Sequence, residues 1–348
     1  MSARRFTHAI ASPRDAAAPF LDLSDNTSRY GTPPAARRAL EDGADPARYP
    51  APQADRLTRA AAAALDVPLE TVVTGAGSDA LLDLAFHACA PPGATIAFTE
   101  PVFPMVPLFA RKRGLVAHGV PRRGGNLDVG ALLADTPALI YVCSPDNPTG
   151  TRVADGDLAT LIARAPGVVV LDEAYAEYAA DSLAGARGHA ARAASSARLV
   201  VTRTLSKAWG LAGLRVGIAV TAPHRAAAMR ELRGPFAVAA PSEQAAAAAL
   251  EADADWVARR VALVRRDRAR LAAGLRALGF APLPSHANFV LVPVPDAAEF
   301  AARLAHAGIG VRALPDLAGL GDAIRITVGP WREMRAVLAA LAEVRPCT

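Results

Sequence analysis

Lysine is nearly absent from this chain, although cationic residues are not. Of 38 lysine and arginine residues, only Lys112 and Lys207 are lysine. Arginine supplies charge and hydrogen bonds, but its guanidinium stays protonated and cannot form a Schiff base, whereas a desolvated lysine amine can. Lys112 lies between Arg111 and Arg113, which is typical of a solvated basic turn. Lys207 lies among small, apolar and hydroxyl residues in the stretch 202–217, which indicates an amine nucleophile for a carbonyl cofactor.

Cysteine is also scarce, and long apolar runs are missing. The cysteines are Cys89, Cys143 and Cys347, an odd number without CxxC spacing, which excludes a disulfide framework and fits a reducing compartment. Cys143 ends the apolar run 138–143 and is interpreted as a core residue. No uncharged apolar run of about 18 residues occurs, and no apolar segment follows the charged N-terminal start. We therefore expect a soluble, cytoplasmic protein with no membrane partner.

The charge pattern does not favour nucleic-acid binding. The net charge is +5, and the arginines are scattered at helical spacing instead of forming a stripe. A hydrophobic fraction of 52% with 20% charged residues excludes a largely disordered chain. No His/Cys/Asp cluster has metal-ligand spacing, so no metal site is predicted. His87, on an apolar helix, is interpreted as a core histidine.

Between residues 71 and 220, continuous Val/Ile/Leu runs alternate with helical segments. This alternation predicts an α/β fold whose mostly parallel sheet is sandwiched by helices. A long helical stretch over 243–278 then leads to a smaller α+β region, in which 309–313 is predicted as one strand. The predicted division is an N-terminal arm at 1–34 that packs with the small domain, a large domain at 35–240 and a small C-terminal domain at 241–348.

Polar residues follow the predicted strands, where open α/β sheets place their ligands. Gly75-Ala-Gly-Ser78 joins a strand to a helix and offers backbone N–H groups to an anion, although an ordinary turn would look the same. Asp172 ends a buried strand, so its carboxylate is either a helix cap or the partner of a protonated ring nitrogen. Asn147, Tyr175 and Arg215 are each ambiguous alone, between turn or structural roles and contacts to the same ligand.

Taken together, these motifs resemble those of the pyridoxal-phosphate-dependent aminotransferases of fold type I, in the class I/II group. The chain is most similar to the histidinol-phosphate aminotransferase subfamily. The most specific stretches are Tyr141-Val-Cys-Ser-Pro-Asp-Asn-Pro-Thr-Gly150 and Arg203-Thr-Leu-Ser-Lys-Ala-Trp-Gly-Leu-Ala-Gly-Leu-Arg215. Gly75–Asp79 and Arg48-Tyr-Pro50 support them. The resemblance covers nearly the whole chain.

The resemblance implies a role for each matching residue around pyridoxal 5′-phosphate. Lys207 binds the cofactor covalently and moves the proton between Cα and C4′, while Asp172 pairs with the pyridinium nitrogen. Asn147 and Tyr175 hydrogen-bond the ring 3′ oxygen, and Phe103 stacks on the ring. The residues implied around the cofactor phosphate are Ala76, Gly77, Ser78, Thr204, Ser206 and Arg215.

The resemblance also implies how the site is completed. Tyr49 is expected to reach the cofactor phosphate of a neighbouring subunit, which implies a homodimer with shared sites. Arg325 matches the arginine that binds the substrate α-carboxylate or, for histidinol phosphate, the substrate phosphate, and Arg312 matches a second substrate-side arginine. Asn26 and Tyr30 belong to the arm that covers the site.

The arm departs from the family pattern, which is close to Asn-Glu-Asn-Pro-Tyr-Gly. The stretch 25–31 lacks the proline and is one residue longer, and Ala80 stands where glutamate is common. The expected reaction moves an amino group between a donor, histidinol phosphate or an aromatic or other L-amino acid, and a 2-oxo acid such as 2-oxoglutarate. The alternatives are a lyase of the threonine-phosphate decarboxylase type and a cofactor-binding regulator without catalysis.

Overall fold

The computed structural model describes residues 20–122, 126–180 and 185–344. Cys347 and the first 19 residues of the predicted arm lie outside these ranges. The strands are β1 (Leu21–Asp22), β2 (Val72–Gly75), β3 (Thr95–Glu100), β4 (Val116–Pro121), β5 (Leu139–Cys143), β6 (Val168–Asp172), β7 (Leu199–Thr204), β8 (Gly217–Thr221), β9 (Phe289–Pro293), β10 (Ile309–Gly310), β11 (Arg312–Leu317) and β12 (Gly321–Thr327). The helices are α1 (Pro34–Asp42), α2 (Asp55–Leu65), α3 (Gly77–Cys89), α4 (Met105–Lys112), α5 (Val129–Leu133), α6 (Asp155–Arg164), α7 (Ala176–Ala179), α8 (His189–Ser195), α9 (Pro223–Arg233), α10 (Ala240–Ala252), α11 (Ala254–Ala277), α12 (Ala297–His306) and α13 (Trp331–Val344).

The largest sheet has seven strands in the order β2-β8-β7-β6-β5-β3-β4. Strands β7, β6, β5, β3 and β4 are parallel, while β8 runs antiparallel to both β7 and β2. The predicted mostly parallel α/β fold is therefore confirmed. The exception follows from the β7–β8 connection, which holds a short 3-10 turn at Ala212–Leu214 instead of a crossover helix.

Both faces of this sheet are covered, as the continuous apolar runs predict. In β6, Val168 and Val170 pack in one core cluster, together with residues of α3, α4 and α9. Val169 and Leu171 point the other way and pack in a second cluster, with residues of α6 and α10. All four side chains are buried, and each contributes roughly 1.5–3 kcal/mol of hydrophobic stabilisation.

The described part of the arm is extended and pairs with later strands. Strand β1 is parallel to β10, and Leu23 donates its N–H to Gly310 (2.8 Å) and accepts from Thr327 N (3.0 Å). Strand β12 lies between β11 and β9 in an antiparallel three-stranded sheet. Through these contacts the arm lies against the sheet that carries Arg312 and Arg325. The arm and the two arginines therefore lie in one region of the molecule.

Two predicted elements and one predicted core residue differ from the structure. The stretch 243–278 is not one helix, because it breaks at Asp253 between α10 and α11. The Asp253 carboxylate accepts a hydrogen bond from the Ala35 N–H (2.8 Å) at the start of α1. The residue at the break therefore caps the N-terminus of α1. The predicted strand 309–313 is divided between β10 and β11, and His87 is exposed, not buried in the core.

Cys143 is buried and Lys112 is exposed, as the sequence predicts. No helix of the described residues is long and apolar enough to cross a membrane.

Candidate active site

A cavity of about 470 Å³ opens where β5, β6 and β7 end, between the large sheet, the arm and strands β11 and β12. It brings together residues that lie up to 300 positions apart in the chain. The sequence-predicted residues that line it are Asn26, Ser78, Phe103, Asn147, Asp172, Tyr175, Thr204, Ser206, Lys207, Arg215, Arg312 and Arg325.

The amine of Lys207 lies inside this cavity. Its Nζ donates a hydrogen bond to the carbonyl oxygen of Asp25 (3.2 Å) and lies 5.9 Å from the centre of the Tyr175 ring. Burial lowers the pKa of Lys207 to about 8, and the positive charge of Arg325 acts in the same direction. A substantial fraction of the amine is therefore neutral, and so nucleophilic, near physiological pH.

The carboxylate of Asp172 lies at the end of β6 and is buried. Tyr141 donates its hydroxyl to Oδ2 (3.0 Å), and the backbone N–H of Ala174 donates to Oδ1 (3.1 Å). Thr202 makes a longer contact with Oδ1 (3.4 Å). Burial raises the pKa of Asp172 to about 6, and the hydrogen bonds from Tyr141 and Ala174 oppose that shift. The group is thus a buried acceptor suited to a cationic N–H.

Tyr175 and Asn26 connect β6 to the arm. Asn26 donates from Nδ2 to the Tyr175 hydroxyl (3.2 Å) and accepts from Thr327 Oγ1 (3.3 Å). Its backbone oxygen accepts from Asn288 Nδ2 (3.0 Å). Asn26 has φ 60°, a left-handed conformation that asparagine tolerates better than most residues. Burial raises the pKa of Tyr175, so its phenol stays protonated at neutral pH.

The two arginines predicted on the substrate side are direct cross-strand partners, since Arg312 in β11 pairs with Arg325 in β12. Arg325 is buried and donates to Asn147 Oδ1 (2.6 Å) and to Ser24 O (3.0 Å), while its Nε has no hydrogen-bond partner among the described residues. Burial lowers the pKa of Arg325 to about 10. Like charges opposite each other are unfavourable in a sheet, so this pair favours an anionic ligand between them.

A tight backbone turn meets the cavity at the start of α3. Gly77 has φ +85°, and a Cβ there would lie 2.8 Å from the guanidinium of Arg215. A Cβ on Gly217 would lie 2.6 Å from the backbone nitrogen of Ser78. Gly217 is therefore required by close approach to backbone, and Gly77 by its positive φ. Arg215 lies over the helix N-terminus, where it also contacts Asp79 (3.2 Å). An N-terminus beside a guanidinium is an anion-binding arrangement.

Thr204 and Ser206 lie next to this turn. Their hydroxyls are 3.0 Å apart, and the Ser206 backbone N–H donates to Thr204 Oγ1 (3.2 Å). Both side chains are buried at the end of β7 and line the cavity. They therefore extend the set of donors at the start of α3.

Four sequence-predicted residues do not line the cavity. Ala76 and Gly77 contribute backbone to the turn at α3. The hydroxyl of Tyr30 contacts Asp267 on α11 (3.4 Å) instead of pointing into the cavity. Tyr49 is 84% exposed and stacks on Phe236, with ring centres 4.9 Å apart.

Sequence reasoning missed several residues at the site. Tyr141 and Thr202 hold the Asp172 carboxylate, and Asp25 contributes the carbonyl that accepts from Lys207. Tyr141 and Thr202 could have been identified from the sequence, because they lie in predicted strands that neighbour the strand ending at Asp172. No sequence pattern predicts the Asp25 contact, since it joins positions 182 residues apart.

Comparison with known proteins agrees with this geometry. Residues 18–341 match the family model of aminotransferase class I and II. The chain is 38% identical to a histidinol-phosphate aminotransferase of Erythrobacter litoralis, over 93% of this chain and 90% of the relative. It is also 38% identical to an aromatic amino acid aminotransferase of Thermobifida fusca, over 88% of this chain and 85% of the relative.

A solved structure shares the fold. The histidinol-phosphate aminotransferase of Sinorhizobium meliloti, in complex with pyridoxal-5′-phosphate, superposes with a TM-score of 0.86 and 28% identity, covering 94% of this chain and 91% of that one. The predicted fold type I architecture is thereby confirmed, and the relatives favour the transferase over the decarboxylase alternative. With the family model matching over most of its length, the chain belongs to the class I and II aminotransferases and is a transaminase.

Proposed function

We propose that this protein is a pyridoxal-phosphate-dependent aminotransferase that moves an amino group from histidinol phosphate or an aromatic L-amino acid to a 2-oxo acid such as 2-oxoglutarate. The observation that carries the proposal is that one cavity holds a partly neutral lysine, Lys207, a buried carboxylate, Asp172, and the arginine Arg325. These are an amine, an acceptor for a protonated ring nitrogen, and a partner for a substrate carboxylate.

The donor set fits pyridoxal 5′-phosphate. In the turn at Gly77 and Ser78, Gly77 has φ +85°, and the guanidinium of Arg215 lies so close to it that a Cβ would be 2.8 Å away. The guanidinium and the N-terminus of α3 therefore lie side by side, which suits the cofactor phosphate. At the other end, Asp172 suits the ring nitrogen, and Asn147 and Tyr175 suit the ring oxygen. The other residues proposed at the phosphate are Ala76, Thr204 and Ser206, and Phe103 is proposed to stack on the ring.

When bound, the cofactor supplies a carbonyl that reacts with amines and an electron-poor ring that stabilises charge on the substrate α-carbon. Lys207 would hold the cofactor covalently, and its Nζ would carry the proton between the substrate Cα and the cofactor C4′. The hydrogen bond to Asp25 O holds Nζ inside the cavity. Tyr175 and Asp172 would hold the ring in its orientation, and Arg325 would bind the substrate carboxylate.

The amino donor is proposed from the relatives and from the paired arginines. Two of the most similar relatives are named for histidinol phosphate and for aromatic amino acids. Arg312 lines the cavity opposite Arg325, so a donor or acceptor with a second anionic group has a second guanidinium to meet. The arm residue Asn26, which lines the cavity, is proposed to close the substrate side.

We further propose a cytoplasmic homodimer with shared sites. The stacked pair of Tyr49 and Phe236 is an exposed aromatic surface, which suits an interface with a second copy. The free thiols Cys89 and Cys143 agree with a reducing compartment. The arm at 1–34, large domain at 35–240 and small domain at 241–348 are part of the same proposal.

A half-reaction with single amino donors tests the function. Purified protein loaded with pyridoxal phosphate is mixed with histidinol phosphate, phenylalanine, aspartate or alanine, and conversion of the cofactor to pyridoxamine phosphate is followed by absorption. We expect rapid conversion with histidinol phosphate or phenylalanine and none in Lys207→Arg. Release of CO₂ without a keto product would instead identify a decarboxylase.

A further inference from the structure

Three neighbouring strands present polar side chains on the same face of the large sheet. Asp172 at the end of β6 is paired with Cys143 in β5 and with Thr202 in β7. Tyr141 lies two residues before Cys143, so it shares that face and is the diagonal neighbour of Asp172. A diagonal neighbour in a sheet is within reach only of a long side chain, which tyrosine has.

Tyr141 makes the one side-chain hydrogen bond to Oδ2 of Asp172 among the described residues, at 3.0 Å. The other carboxylate oxygen, Oδ1, is held by Ala174 N and, more weakly, by Thr202. The tyrosine ring is fully buried and packs edge to face on Phe86 of α3, with ring centres 6.3 Å apart. Its orientation is therefore set by the core, independently of any ligand.

We propose that Tyr141 is a positioning residue that orients the Asp172 carboxylate and keeps it ionised for a protonated ring nitrogen in the cavity. The inference rests on the proposed function, because it needs a cofactor with such a nitrogen. A phenol that donates to a carboxylate stabilises the charged form, and this matters most where burial opposes ionisation. Removing that donor takes away the side-chain hydrogen bond to Oδ2 of the buried carboxylate.

The hydrogen bond from Tyr141 counteracts the effect of burial on the pKa of Asp172. Burial raises the pKa of Asp172 to about 6, and the charge of Asp79 acts in the same direction. The Tyr141 hydrogen bond is the largest opposing influence on that pKa. The polar and titratable groups around Asp172 are Tyr141 and Cys143 on β5, Thr202 on β7, Asp79 on α3 and Tyr175 after β6.

The test compares Tyr141→Phe, which retains the ring, with Tyr178→Phe, which removes another buried phenol outside the cavity. The dissociation constant of pyridoxal phosphate is measured from pH 5 to pH 9 for each protein freed of cofactor. For Tyr141→Phe we expect affinity at pH 7 to fall about 10- to 100-fold, the loss of one hydrogen bond to a charged group. We also expect the acid limb of the binding profile to move up by about one pH unit.

An unchanged acid limb in a folded Tyr141→Phe protein would overturn the inference, as would an equal loss of affinity in Tyr178→Phe. Failure of the unaltered protein to bind the cofactor at any pH would overturn the proposed function itself. If Tyr141→Phe does not fold, 3-fluorotyrosine is incorporated at position 141, where a more acidic phenol is a stronger donor. The acid limb then moves down in pH, and an unmoved limb contradicts the role of Tyr141.

Discussion

The Nζ of Lys207 lies 3.2 Å from the carbonyl oxygen of Asp25, although the two residues are 182 positions apart. Asp25 begins the segment in which the arm departs from the family pattern, so this departure contacts the lysine amine directly. The arm also accepts from Arg325 through Ser24 O (3.0 Å). The described arm is thus a structural part of the cavity wall, in contact with both Lys207 and Arg325.

Replacing Lys207 removes the only amine that lines the cavity among the described residues. We expect both Lys207→Ala and Lys207→Arg to lose activity by at least about 1,000-fold, because neither residue can take and return the α-proton. Turnover is measured with a coupled assay for the keto product. Lys112→Arg is the matched control on the exposed lysine, and an equal loss there would contradict the assignment.

The rate at which cofactor-free protein captures pyridoxal phosphate should depend on pH through Lys207. Its pKa is lowered to about 8, so the neutral amine fraction rises roughly tenfold per pH unit below pH 8 and levels above it. Stopped-flow absorption from pH 6 to pH 9.5 measures this rate. A rate that keeps rising to pH 9.5 would show that the amine has an ordinary lysine pKa in the folded protein.

Substitutions of the two cavity arginines should raise KM for different sets of substrates. Arg325→Lys loses the planar donor fork that contacts Asn147 and Ser24, so we expect KM for every amino and oxo acid to rise about 10- to 100-fold. Arg312→Lys should raise KM mainly for substrates with a second anionic group. Arg303→Lys on α12 is the control, and steady-state kinetics with phenylalanine and histidinol phosphate distinguishes the three variants.

Asn26 contributes to stability through its side chain and through its backbone conformation. Asn26→Gly removes the bonds to Tyr175 and Thr327 but tolerates φ 60°, so we expect a loss of about 1–3 kcal/mol in the free energy of unfolding. Asn26→Ala should lose about 1 kcal/mol more, because alanine is strained in the left-handed region. Urea unfolding of the cofactor-free protein measures both, and a more stable Ala variant would contradict the backbone argument.

Tyr49 should affect the cofactor without affecting the fold of its own protomer. Its side chain is exposed and stacks on Phe236, so Tyr49→Ala should change the melting temperature of an isolated protomer little. If it reaches the phosphate of a partner's cofactor, we expect weaker cofactor binding by about tenfold. Equilibrium dialysis and sedimentation velocity measure binding and assembly. Leu69→Ala, at another exposed apolar side chain, is the control.

Residues that follow strands could be placed from sequence, because parallel strands align their carboxyl ends at one edge. This is why Asp172, Asn147 and Lys207 were expected together, and the structure puts all three on one cavity. The same reasoning could not find the break at Asp253, since the sequence on both sides of that residue predicts helix. At the break, Asp253 accepts a hydrogen bond from Ala35, a contact that no local pattern encodes.

The alternation of buried strands and helices could be inferred from the amino-acid sequence alone, and so could the amine chemistry of the site, which a rare lysine in an arginine-rich chain indicates. Periodicity and residue chemistry are local properties, so they can be interpreted without coordinates. Four features became visible only in the folded chain: the Tyr141–Asp172 hydrogen bond, the contact of the arm with Lys207, the contact of Tyr30 with Asp267, and the antiparallel direction of β8. These depend on distances between elements far apart in the chain, which packing of the whole core sets.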